Sequence, residues 1–455
     1  METQYPKYRW FVCAVMVVGT VAQGICLIGP SPIVNLVDGA GNPIGIAAQL
    51  GLSVGQATGL LMVAFQGFVV VGGIVGGILA DRIEMPKLYL LSLILVIAGA
   101  AILFAAGDSV ALAVVGRAIQ GLGSGPMIAS LARLLALWFP SKEKGIVAGI
   151  QGAALSLGIA LGLSIVPQLF YALGNNWNMA LAIPGILAAV ALVLTIIWNF
   201  GPKPPVQVQE QIKVESGAVS AGDMFKLAAK TPVFYACIIV SVCASWIQQA
   251  YNDLTPGNLA GPPAEVIAAN NLEGVAAGLN YGGVGSGMAM GALSIAFLVG
   301  SLVSGFFFNF VFKQKARVML PVCFVITAAF CASVLFFNPF EGNAGDTGVP
   351  IPGTLLVCLI IAGFFMGMPN ATTQGYIANN FPVQITGKVG SLAMSIGIAG
   401  SVLGVVVGSM ALHVTNAYNV SVVIVSVVGV IGAIVASIAL KGEAAFKAQQ
   451  SAEVE

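Results

Sequence analysis

Apolar residues along this chain fall in long runs, not in alternation with polar ones. Twelve runs reach the ~20 residues a helix needs to cross a bilayer. They cover roughly 10–36, 56–80, 88–106, 110–137, 145–170, 179–200, 232–255, 284–312, 318–337, 353–378, 389–412 and 419–440. The period-two segments of a membrane β-barrel are absent. The pattern predicts an all-α membrane protein with twelve transmembrane helices. The polar stretch Gly201 to Thr231, with Pro202, Pro204 and Pro205, separates the runs six and six. The expected organisation is a six-helix half (1–200), a linker (201–231), a second six-helix half (232–440) and a tail (441–455).

Composition reinforces this pattern. Apolar residues make up 58% of the chain and charged residues 8%, against ~25% charged in soluble domains. The first run is too long for a signal-peptide core and lacks a clean small-residue cleavage site, so it reads as a retained helix. Charge adds an orientation. With both termini inside, every Lys and Arg except Arg117 falls on the cytoplasmic side, and the other side carries Asp38, Asp108, Glu265, Glu273, Glu341 and Asp346. That is the positive-inside distribution. It predicts a multi-pass protein of a bacterial inner membrane, monomeric, with the lipid bilayer as its surroundings. A net charge of +1 offers nothing to nucleic acid. The seven cysteines lie inside apolar runs with no C-x-x-C, as buried free thiols do. No Walker motif, metal cluster or nucleophile arrangement stands out, so neither an enzyme nor a cofactor or metal site is expected.

The halves repeat. Phe139-Pro140, Gly145, Gly158 and Gly162 recur at an offset of 242 as Phe381-Pro382, Gly387, Gly400 and Gly404, and Gly121 and Gly125 recur as Gly363 and Gly367. Gln23 and Pro30 match Gln249 and Pro256 at 226, and Gly77 and Asp81 match Gly305 and Asn309 at 228. Two six-helix units of the same sense are parallel repeats, an arrangement that places substrate near the bilayer midplane.

The fourth run carries the costliest residue. Arg117, Gln120, Gly121, Ser124 and Gly125 share one helix face. An arginine in hydrocarbon costs at least ~2.5 kcal/mol and faces protein or water. Three readings are open: a bidentate fork for a substrate carboxylate, a structural or coupling arginine bonded to carbonyls and Gln120, or a snorkelling side chain.

On Gly77-x-x-x-Asp81-Arg82 and Arg117-x-x-Gln120-Gly121-x-Gly123-x-Gly125, with the six-plus-six layout, the chain resembles the major facilitator superfamily over essentially its full length. Two features depart from the family pattern: Glu84 stands where glycine is usual, and Asn309 replaces the second-half acid. The run from Trp138 to Gly152 is similar to that of anion-carrying branches. The resemblance implies that the first, fourth, seventh and tenth helices line a cavity. The in-span polar residues concentrate on those helices: Gln23; Arg117 and Gln120; Gln249, Asn252 and Asp253; Asn370, Thr373, Gln374 and Tyr376. These are the candidate substrate residues, with Asp253 as a possible proton or ion site and Gly77, Asp81 and Arg82 as gating residues. The expected function is secondary active transport of a small organic anion, a carboxylate, by proton symport or anion exchange. The alternatives are a proton-coupled exporter of lipophilic drugs and a nitrate/nitrite-type porter. Nitrate porters place arginines in helices 2 and 8, which are missing here.

Overall fold

The computed structural model describes residues 6–80, 82–205, 232–341, 349–380 and 383–440. Among them the architecture is helical, with a single isolated bridge between Val37 and Pro43. The helices are α1 (Arg9–Ile28), α2 (Val54–Ala80), α3 (Met85–Phe104), α4 (Val110–Ala129), α5 (Ser141–Ala172) and α6 (Trp177–Ala182 with Gly185–Phe200). After the linker come α7 (Pro232–Ala260), α8 (Gly282–Phe306), α9 (Ala316–Ala332), α10 (Gly353–Met366 with Met368–Asn380), α11 (Val383–Thr415) and α12 (Tyr418–Ala439). Eleven helices among the described residues are long and apolar enough to cross a membrane. The remaining one, α4, is 20 residues long and is made more polar by Arg117 and Gln120.

Proline explains most departures from the predicted runs. α1 stops at Ile28 rather than near residue 36, because Pro30 has no N–H to give the Cys26 carbonyl. Pro184 divides α6, and Pro369 follows the break in α10. The fourth run is interrupted at Ser130 and resumes as Leu131–Trp138. At its end α8 widens into a π turn, Phe307–Val311.

Contacts divide the chain into two compact units. The first is Met1–Val219 with Pro256–Gly291 and Pro339–Pro350, and the second is Ser220–Thr255, Ala292–Asn338 and Ile351–Glu455. The end of α7 and the start of α8 therefore belong with the first six helices.

The repeat is visible as matching close approaches inside each unit. A methyl on Gly121 would lie 2.1 Å from the Phe65 carbonyl oxygen, and one on Gly363 2.3 Å from that of Leu293. The same two offsets, 242 and 228, connect these pairs. Small residues let such helices touch backbone to backbone. The match between α1 and α7 is different. Gly158 meets Val21 and Gly400 meets Val242, which sets the offset at 221 and not 226. The Gln23–Gln249 correspondence is thus off by five residues: measured against its own partner helix, Gln249 sits more than a turn beyond Gln23's level.

The first unit is closed around its chain start by aromatic packing. Trp138 and Trp198 meet edge-on at 6.2 Å, and Tyr89 lies 5.5 Å from Trp198. Beside them Arg9 grips Glu143 with two bonds of 2.8 and 2.9 Å, tying α1 to α5.

Candidate functional site

The interior of the first unit is built around Arg117, the one buried cation among the described residues. Its Nε donates to the Leu61 carbonyl at 3.1 Å. Nη1 donates to the Cys26 carbonyl and to Gln120 Oε1, the latter at 3.1 Å. Nη2 donates to the Leu27 carbonyl at 2.9 Å and faces Met62 Sδ at 4.0 Å. The Phe65 ring lies under the guanidinium, 4.5 Å from its carbon, a cation–π contact. The logic is local. Pro30 frees the Cys26 carbonyl, and an arginine one helix away supplies the missing donor. This geometry favours the structural member of the three readings: the guanidinium ties α1 and α2 to α4, and its burial inside the protein does not fit a snorkelling side chain.

Further amides are buried in the same unit. Gln120 Nε2 faces Cys26 Sγ at 3.9 Å, and Gln23 and Gln66 are buried. On α5, Gln151 Nε2 donates to the Thr20 hydroxyl of α1. Its Oε1 is enclosed and has no hydrogen-bond partner. Gln151, Thr20 and Gln66 escaped the sequence reading. Gln151 sits in the glycine-laced run from Gly145 to Gly162, which reads as packing, and its one signal is that it is the single amide side chain within that run.

In the second unit, α7 and α10 hold the other expected residues. Asp253 is fully buried, and Gln249 Nε2 donates to its two oxygens at 3.1 and 3.2 Å, one helical turn away. Asn252 and Tyr376 are buried, and Gln374 is half-buried. Thr373 donates to the Pro369 carbonyl at 2.8 Å, within its own helix. Asn370 is half-buried, with its Oδ1 enclosed and lacking a partner.

Of the gating residues, Asp81 lies outside the described residues. Arg82 is exposed, and a methyl on Gly77 would meet open space. Glu84, the departure from the family pattern, has a definite role here. It bonds Lys203 at 2.8 Å and Lys87 at 3.1 Å, joining the start of α3 to the chain beyond α6. The Lys203 hydrogen bond, followed by that of Lys87, holds the Glu84 carboxyl below the usual range. In the second half, Gln314 Nε2 donates to Asn309 Oδ1 at 3.2 Å, a local bond within the turn after α8.

Comparison with known proteins agrees with the helical repeat. The sequence profile of the Major Facilitator Superfamily matches residues 35–259 and 263–455, so the chain belongs to this family of membrane transporters. One relative is the protein named probable galactarate/D-glucarate transporter GudP of Bacillus subtilis, 27% identical over 35% of this chain and 36% of its own. The hexuronate transporter of the same organism is 24% identical over 45% of this chain and 49% of its own. The protein named probable anion transporter 6 of Oryza sativa is 25% identical over 37% and 40%. The chain thus spans less than half the length of these relatives. The crystal structure of a D-xylose-proton symporter shares the fold, with a TM-score of 0.63 at 15% identity over 96% of this chain and 99% of that one.

Proposed function

We propose that this protein is a secondary transporter of a small hydroxylated carboxylate, of the sugar-acid class, working by alternating access. The observation that carries the reading is Arg117, a fixed positive charge buried in the first unit beside Gln120. A carboxylate is drawn to that charge, and hydroxyl groups need partners that both donate and accept, as glutamine and asparagine do. Two relatives are named for sugar acids, which supports the same class.

The roles are distinct. Since carbonyls and Gln120 hold the guanidinium, Arg117 supplies field and geometry, and Gln120, Gln23 and Gln151 make the direct contacts in the first unit. Gln249, Asn252, Asn370, Thr373, Gln374 and Tyr376 serve the substrate path in the second. Asp253, buried against Gln249, takes the co-transported proton, making the protein a symporter. Gly77, Asp81 and Arg82 belong to the inner gate, and both termini lie in the cytoplasm.

The test is a melting-temperature screen of purified protein against glucarate, hexuronates, nitrate and hydrophobic amines, since a ligand of the folded state raises the melting point. Sugar acids are expected to stabilise, and Arg117→Gln is expected to abolish both that shift and uptake into proteoliposomes. Stabilisation by amines alone, or undiminished uptake by Arg117→Gln, contradicts the reading.

A further inference from the structure

The first unit contains a fastening that neither the transport reading nor the family pattern assigns. After α7 the chain folds back on its own end. Leu279 N–H donates to the Asn258 carbonyl at 2.7 Å, and Gly278, Asn280 and Tyr281 donate to Pro262, Gly261 and Leu259, each at 2.8 Å. The result is a two-layered loop, residues 257–281, laid against the loop that follows α1.

One side chain enters between its layers. Asn35, 3% exposed, donates from Nδ2 to the Ala276 carbonyl at 2.9 Å and to the Gly257 carbonyl at 3.4 Å. The outgoing and returning strands are thus pinned by a single amide. Gly261 leaves the room for it, because a methyl there would sit 2.3 Å from Asn35 Nδ2. The two loops are also joined by Val54 N–H, at the start of α2, donating to the Gly274 carbonyl at 2.9 Å. Beside these bonds a cleft of about 450 Å3, lined by Leu36, Pro43, Ser53 and Glu273, separates the same two loops. These polar points supplement the apolar contact of Ile33 and Leu36 with Ala260 in one buried cluster. Hydrogen bonds of this kind are worth little net free energy each, so they can be released within a working cycle.

We infer that Asn35 is a positioning residue whose amide fastens the segment Pro256–Gly291 onto α1 and α5 and sets how readily that end of the unit opens. Under this segment Gly287 lies against the Leu163 carbonyl, and Ser164 Oγ of α5 reaches the Gly287 carbonyl at 3.4 Å. Release of the pin exposes that seam. As a step in alternating access this rests on the transport reading, but its test does not.

Ser164→Cys is labelled in membranes with an impermeant thiol reagent, with no substrate present. The seven native cysteines are all free, and the unaltered chain sets the background. Adding Asn35→Ala is expected to raise the labelling rate about tenfold, in line with two lost hydrogen bonds. Asn35→Asp is expected to raise it further, because a carboxylate repels both carbonyls. Gly261→Ala displaces the amide without removing it and is expected to act in the same direction, which covers the case of an Asn35 variant that does not fold. Asn178→Ala removes bonds to the Leu103 and Gly107 carbonyls, away from both loops, and is expected to leave the rate unchanged. An unchanged rate in Asn35→Ala of parental melting temperature overturns the inference, as does an equal rise in Asn178→Ala. Absence of sugar-acid uptake by the unaltered protein, with the labelling increase in Asn35→Ala intact, would count against the transport reading alone.

Discussion

Arg117 and Gln151 set the chemistry of the first unit in different ways. Arg117 is a cation whose donors are given to the chain itself, so its value lies in five directed N–H groups as well as in charge. Lysine has three donors on a flexible stem and cannot serve the Cys26, Leu27 and Leu61 carbonyls together. Arg117→Lys is therefore expected to resemble Arg117→Gln in uptake and to melt lower than the parent, although it keeps the charge. Gln151 is the reverse case, a neutral group with an acceptor to spare. Its enclosed Oε1 suits a substrate hydroxyl, and a neutral hydrogen bond is worth about 0.5–1.5 kcal/mol. Gln151→Leu is expected to raise the KM for a hydroxylated acid by roughly two- to tenfold and to spare a deoxy analogue, measured by uptake of the pair. Equal losses for both compounds would assign Gln151 to packing.

Between helices, the determining feature is backbone contact at glycine. On α4, Gly121 sits on Phe65, and on α10, Gly363 sits on Leu293. Gly77 has nothing within contact distance, although it belongs to the most recognisable motif of the chain. The two kinds of glycine should respond differently. Gly121→Ala forces α2 and α4 apart at a cost of about 1–3 kcal/mol, read as a lower melting temperature in detergent, whereas Gly77→Ala should melt like the parent. Helix breaks follow the same local logic. Pro30 ends α1 and frees the carbonyl that Arg117 then takes, so the proline and the arginine act as one feature divided between two helices.

Across the whole molecule, two buried charges stand out among the described residues: Arg117 in the first unit and Asp253 in the second. If Asp253 carries the proton, Asp253→Asn should lose accumulation driven by a pH gradient while keeping exchange of substrate for substrate. Accumulation at the parental level would remove Asp253 from the coupling role. The class of protein was legible in the sequence because membrane insertion depends on composition over some twenty residues, which any window along the chain reports. The repeat was legible too, since glycine spacing records helix contacts, and Arg117 was conspicuous because a charge in an apolar run is rare. Other features depend on which side chains meet across space, and the linear pattern carries no trace of that. The donors of Arg117 go to carbonyls on two other helices. Gln151 finds Thr20 some 130 positions away, and Asn35 reaches Ala276 in the loop beyond α7. The α1–α7 match shows the limit most directly: a glutamine and a proline gave one offset, and the packing of Gly158 and Gly400 gave another. Sequence alone determined that these helices exist and that the halves correspond. Tertiary structure decided their register and the partners of their polar groups, because hydrogen bonds are satisfied by neighbours in space and not by neighbours in the chain.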